Sequence, residues 1–204
     1  MKNQTALSRL IAAALAVAAF APVAAQADEG KLLVRVRAVN VDPANEGNTA
    51  TTSAVSLNTK VIPEVDFTYF VTPNIAAELI LTYPQKHDVA LNGTKIGELS
   101  HLPPTLTAQY HFLPTGQIRP YLGAGINYTN LSAVNLPSDL NVDRGSFGLA
   151  LQAGVDIQVA PKVFVNIDVK HVQIRTNLKA GDGSDLGELK VDPTLIGVGV
   201  GYRF

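Results

Sequence analysis

In the stretch Ser146-Phe147-Gly148-Leu149-Ala150-Leu151-Gln152-Ala153-Gly154-Val155-Asp156-Ile157, every second residue is apolar. Phe147, Leu149, Leu151, Ala153, Val155 and Ile157 form one series. Gln152, Gly154 and Asp156 fall in the other. Successive side chains of a strand point to opposite faces, so a period of two predicts a strand near 146–158 with one apolar and one polar face. The same alternation predicts seven further strands near 31–41, 61–71, 75–83, 101–112, 119–129, 163–170 and 194–204.

The charges separate by face. Lys31, Arg35, Arg37, Glu64, Asp66, Glu78, Arg119, Asp156, Asp168, Lys170 and Arg203 all take the parity opposite to the apolar series, which carries no charge in any of the eight segments. A Lys or Arg on a lipid-facing position at the bilayer midplane costs about 2–4 kcal/mol, and that penalty accounts for a charge-free face. The connections alternate too: 72–74, 113–118 and 159–162 are short, whereas 42–60, 84–100, 130–145 and 171–193 are long. Short turns at one end and long loops at the other predict an all-β fold, an eight-stranded antiparallel transmembrane β-barrel with both termini on the periplasmic side. Closure leaves no unpaired edge in the hydrocarbon. Five of the six tyrosines take the lipid parity, and with Phe112, Phe147 and Phe204 they supply the interfacial girdles, in a chain that contains no Trp.

Composition agrees. Apolar residues make up 47% and charged residues only 16%, against roughly 25% charged in soluble domains. The first 27 residues read as a signal peptide: Lys2 and Arg9 form the basic segment, Leu10–Phe20 the apolar one, and Ala25-Gln26-Ala27 the cleavage site. The division expected is therefore 1–27 signal peptide and 28–204 barrel. Removing Lys2 and Arg9 takes the formal net charge from −1 to −3, which offers no electrostatic basis for nucleic acid. Without Cys there is no disulfide framework, thiolate metal site or catalytic thiol. An exported chain of this kind is expected in the outer membrane of a Gram-negative cell, among lipid and lipopolysaccharide.

Several stretches resemble the OmpW family of small outer-membrane proteins. They are Leu102-Pro103-Pro104-Thr105-Leu106 followed by Ala108-Gln109-Tyr110; Arg119-Pro120-Tyr121-Leu122-Gly123-Ala124-Gly125-Ile126-Asn127-Tyr128-Thr129; Gln152-Ala153-Gly154-Val155-Asp156; Asp192-Pro193; and the closing Gly201-Tyr202-Arg203-Phe204. The likeness spans roughly 70–204. Tyr202 and Phe204, on alternate positions at the end of the chain, look like the signal read by the outer-membrane assembly machinery. The resemblance implies a narrow hydrophobic channel through which small apolar molecules enter from outside and leave sideways into the membrane. The alternative reading is a plugged structural or surface-receptor barrel that recognises a toxin, phage or host through its long loops.

An eight-stranded barrel is wide enough only for its own side chains or one small ligand, so an axial water pore is not expected. Strand parity nominates Leu33, Ile62, Phe70, Ile80, Pro103, Pro104 and Tyr121 for an apolar inner surface or wall opening. The same parity gathers Arg35, Arg37, Glu64, Asp66, Glu78, His111, Asp156, Asp168, Lys170 and Arg203 into a polar network in the lumen. Pro63, Pro103 and Pro104 predict irregular wall, because proline cannot donate to a ladder. The alternation is read as shifting phase near His171. His101 and His111 are read as lumen residues held by hydrogen bonds, and Asp182, Asp185 and Glu188 as a solvated loop. No nucleophile–base pair can be assembled, so neither enzymatic activity nor a cofactor or metal is expected.

Overall fold

The computed structural model describes residues 30–137 and 139–204. The expected signal peptide, 1–27, lies outside the described residues, as does the side chain of His101. The strands are β1 (Leu32–Asp42), β2 (Glu46–Gly47), β3 (Val55–Leu57), β4 (Lys60–Phe70), β5 (Ile75–Thr82), β6 (Gln85–Leu91), β7 (Thr94–Leu102), β8 (Thr105–His111), β9 (Ile118–Asn135), β10 (Leu140–Val142), β11 (Gly145–Ala160), β12 (Val163–Val172), β13 (Arg175–Ala180), β14 (Asp185–Lys190) and β15 (Thr194–Arg203). One short helix, α1 (Ala50–Ser53), lies between β2 and β3.

Eight of these strands close into an antiparallel barrel in the order β1-β4-β5-β8-β9-β11-β12-β15, with β15 returning to β1. Leu33 pairs with Arg203 and Asp42 with Thr194 at the two ends of that closing seam. Side chains alternate as the sequence predicts. Phe67, Leu79, Leu106, Ile126 and Leu149 lie in cross-strand register as an exposed apolar belt. Tyr69, Tyr110, Phe112, Tyr202 and Phe204 ring the short-turn end, with edge-on contacts between Tyr110 and Phe112 at 5.1 Å and between Tyr202 and Phe204 at 4.8 Å. Tyr83, Tyr128 and Phe147 ring the other end, so phenolic and phenyl rings serve both interfaces without Trp.

Four expectations change. First, Pro63 causes no bulge: the β1–β4 register runs unbroken from Leu32↔Tyr69 to Val41↔Lys60. The Pro63 carbonyl accepts from Thr82 Oγ1, so its backbone polar edge faces β5 just beyond the last β4–β5 pair, Glu64↔Thr82, where no ladder donor is needed. Second, the parity of β12 does not shift at His171. Lys170, Val172 and Ile174 all point inward, and what changes is the interior, from charged to apolar. Third, 101–112 is not one strand. It splits at Pro103-Pro104 into the end of β7 and the start of β8. Fourth, Val163, assigned to the lipid face, is buried, and Lys31, assigned inward, is exposed at the start of β1.

The long connections are not irregular. β9 continues past the barrel and carries β7, β6 and β3 in a ladder, and β10, β13, β14 and β2 form a separate four-stranded sheet. Together with α1, these extensions cap the extracellular end.

Candidate functional site

Three layers fill the barrel. At the periplasmic end Leu33, Phe70, Ala76 and Phe164 form a small apolar cluster. The Arg203 guanidinium lies 3.9 Å from the Phe70 ring centre and that of Arg119 4.8 Å from Phe164. These aromatic faces take cations that close the floor.

Above it is a continuous ionic web. Arg35 donates to Asp156 through Nε at 3.0 Å and Nη2 at 2.7 Å, and through Nη1 to Asp66 at 2.8 Å and Thr68 at 2.7 Å. Arg37 lies 2.9 Å from Glu64, 2.7 Å from Asp66 and 3.0 Å from Glu78. Lys170 donates to Glu64 Oε1 at 2.6 Å and lies 3.3 Å from Asp168 Oδ1. Tyr121 donates to Asp168 at 2.9 Å. His111, 3.1 Å from Gln109, lies between the rings of Phe70 and Tyr121. Small residues on the facing strands make this filling possible. A Cβ at Gly154 would sit 2.4 Å from the Tyr121 ring, and one at Gly199 2.7 Å from the stem of Arg37. Fully buried ions tolerate this density only because each is paired or hydrogen-bonded.

The extracellular half is apolar. Val39, Val41, Val55, Leu57, Ile62, Val89, Leu99, Leu131, Val142, Val172, Ile174, Leu178, Leu189, Val191 and Leu195 form one buried cluster. Two clefts among the described residues are lined by it. One, about 20 Å³, lies between Val41, Leu57, His87, Leu99, Leu131 and Leu189. The other, about 30 Å³, lies deeper, among Ile62, Ile80, Pro103, Val172, Ile174 and Leu195, with Glu64, Lys170, Thr82 and Thr105 as its polar lining. Each has room on the scale of one or two water-sized spheres, so a larger guest must displace apolar side chains.

The deeper cleft lies beside a break in the wall. The β5–β8 ladder ends at Ile80↔Thr105, and the next pair along the seam, Gln85↔His101, joins β6 to β7. No ladder pair joins 81–84 to 102–104 among the described residues. Pro84, Pro103 and Pro104 supply no N–H there. The Pro104 carbonyl is engaged on the far side, accepting from Tyr128 N and Asn127 Nδ2, each at 3.2 Å.

The seven residues nominated for an apolar inner surface therefore do not share one surface. Ile62, Ile80 and Pro103 line the deeper cleft, with Pro104 beside it in the seam. Leu33 and Phe70 belong to the periplasmic cluster. Tyr121 belongs to the ionic web, because its hydroxyl finds Asp168. Of the ten nominated lumen residues, all are buried; Arg203 sits below the web, bonded to the Gly30 carbonyl at 2.7 Å. Asp182 accepts from Ser184, and Asp185 from Gly187 N. The sequence reading missed Val172, Ile174 and Leu195 as cleft walls; their parity was the available signal.

His87, in the cap, sits with Nδ1 3.0 Å from the Asn58 carbonyl. Burial lowers its pKa below the ordinary histidine value. The neutral ring is thus favoured by the folded cap, and the unfolded chain gains protons first. The stability this gives is complete above the ordinary histidine range, near 6.5, and is lost as pH falls through it. Protection of the β3 and β6 amides, taken relative to the intrinsic exchange rate at each pH, should therefore fall between pH 7 and pH 5, and a His87→Gln variant should lose that fall in protection.

Comparison with known proteins agrees with this architecture. A relative from Sinorhizobium fredii, named an uncharacterized outer-membrane protein y4mB, is 45% identical over 181 residues, covering 84% of this chain and 79% of its own. Outer membrane protein W of Escherichia coli is 33% identical over 213 residues, covering 97% and 100%. A Pseudomonas aeruginosa protein named dibenzothiophene metabolism operon protein PahQ is 30% identical over 148 residues, covering 68% and 69%. The crystal structure of OprG from Pseudomonas aeruginosa superposes with a TM-score of 0.74 at 24% identity, covering 89% of this chain and 99% of that one. The family model described as OmpW family matches residues 28–204. A closed eight-stranded barrel with a charge-free outer face and aromatic girdles, matched in family, relatives and fold, is an outer-membrane protein of a Gram-negative cell, and the chain belongs to the OmpW family.

Proposed function

We propose that the barrel admits small hydrophobic molecules through its extracellular end and releases them sideways into the outer membrane. The observation that carries this reading is the apolar cleft that ends below on the ionic web and borders the unladdered seam at 81–84 and 102–104. A hydrophobic guest entering from above meets charges if it continues down the axis and lipid if it turns through the wall. Desolvating that web is far costlier than parting apolar side chains. The name of the PahQ relative, tied to metabolism of an apolar aromatic compound, supports a solute of that class. No catalytic step forms part of this reading.

The test is uptake of a radiolabelled small aromatic by Gram-negative cells with and without the protein, alongside a Pro103→Ala, Pro104→Ala double variant. The variant regains an N–H at position 103, while the one at 104 lies with its carbonyl on the β9 side, so the seam can zip further by one donor; uptake should exceed the empty control and fall severalfold in the variant. Uptake that is unchanged in the variant discards the seam. The cap, an extension of the barrel sheet together with a separate four-stranded sheet, presents an outward surface, and no uptake above control with a heat-modifiable folded barrel would favour recognition through that surface.

A further inference from the structure

The deeper cleft is apolar on its walls but not at its base, and the base has an unequal hydrogen-bonding balance. Glu64 directs one oxygen, Oε1, to both Arg37 and Lys170. Among the described residues its second oxygen has no hydrogen-bond partner, and it is not among the sealed atoms of the interior. Lys170 carries three N–H groups and meets two oxygens, Glu64 Oε1 at 2.6 Å and Asp168 Oδ1 at 3.3 Å. An acceptor and a donor thus stand side by side at the bottom of a space of about 30 Å³. That is room for a hydroxyl group and not for a ring or an alkyl chain. The opening above it is the seam, flanked by Ile80 and Pro103.

From this geometry we infer that the cleft selects neutral apolar molecules that end in one hydroxyl group, alcohols or phenols, seated with the hydroxyl between Glu64 and Lys170 and the apolar body in the seam. The inference rests on the sideways-release reading and names its preferred solutes. Three chemistries are distinguished at the base. A hydroxyl both donates and accepts, so it satisfies the free Glu64 oxygen and the remaining Lys170 hydrogen together. A hydrocarbon satisfies neither. A carboxylate would approach a lysine already shared by Glu64 and Asp168 and would face the Glu64 oxygen as a like charge. Two charge-assisted hydrogen bonds in a water-poor site are each stronger than neutral ones, and the selectivity expected from them is about tenfold or more.

The experiment measures equilibrium binding of 1-naphthol, 1-methylnaphthalene and 1-naphthoate to the full barrel in lipid nanodiscs, with empty nanodiscs subtracted. Methyl and hydroxyl are close in size, so the first pair isolates hydrogen bonding. The expected result is about tenfold tighter binding of the naphthol than of either of the others. In a Glu64→Leu, Lys170→Met double variant, which removes one charge of each sign, that preference should collapse to about onefold while methylnaphthalene binding persists. Equal binding of naphthol and methylnaphthalene by the natural protein overturns the inference and leaves sideways release standing; that comparison needs no variant to fold. A naphthol preference that survives in the folded double variant removes it from Glu64 and Lys170. Failure of all three to bind overturns both readings.

Discussion

Replacing Arg35 with Met is expected to cost the barrel about 3–5 kcal/mol, the penalty for leaving buried charge without its partner. Arg35 is completely buried and holds Asp156 with two hydrogen bonds, one to each carboxylate oxygen. It also reaches Asp66 at 2.8 Å and Glu78 at 3.3 Å. Asp66 and Glu78 keep Arg37 after the substitution, at 2.7 and 3.0 Å; Asp156 keeps the Asn166 amide at 2.9 Å. The loss should therefore fall mainly on Asp156. An Asp156→Leu substitution added to Arg35→Met should recover a substantial part of the stability, since replacing a buried pair by apolar groups of similar volume is often near neutral. Urea titration in lipid vesicles, followed by gel mobility of unheated samples, reads both variants. If the double variant is no more stable than the single one, the pairing of Arg35 with Asp156 is not what the barrel loses.

A charge on the outer belt should be nearly as damaging for the opposite reason. Leu79 stands between Phe67 and Leu106 in that belt, exposed to the hydrocarbon between the two girdles. Leu79→Arg should destabilise by about 2–4 kcal/mol, while Leu113→Arg, in the exposed periplasmic turn, should cost about 0–1 kcal/mol. The same titration measures the difference. Equal costs at the two positions would mean that the belt does not lie at the depth its register implies.

The barrel itself was legible because a strand buried on one side and bathed in lipid on the other leaves a strict parity, and no charge interrupts Phe67, Leu79, Leu106 or Leu149 on that parity. The lumen web was legible as a set for the same reason. Its partners were not, since Arg35 reaches Asp156 across the barrel and parity says nothing about height or distance. The cap was missed on physical grounds. Some of its strands are only two or three residues long, and in the others the apolar side chains turn inward while the outward ones meet water, the reverse of the parity that marks the barrel strands. Asn92-Gly93 was the available signal: both residues take positive φ, 49° and 78°, between paired Leu91 and Thr94, the backbone a tight two-residue hairpin demands. Pro63 and Pro103-Pro104 looked equivalent in sequence. One proved harmless and the other split a strand, because only the register shows which edge of the proline faces a ladder.

The ionic web also bears on how the barrel forms. Arg35 and Arg37 come from the first strand, yet their partners come from β4, β5, β11 and β12, and the bond to Asp156 spans 121 positions of chain. Contacts of such separation reward the chain only after long loops have been closed. A partial sheet lacking β11 and β12 would hold Arg35 without Asp156 and Arg37 without Asp168. Halting midway therefore strands charge in a dry interior, and assembly should be a single concerted closure with no stable half-barrel along the way.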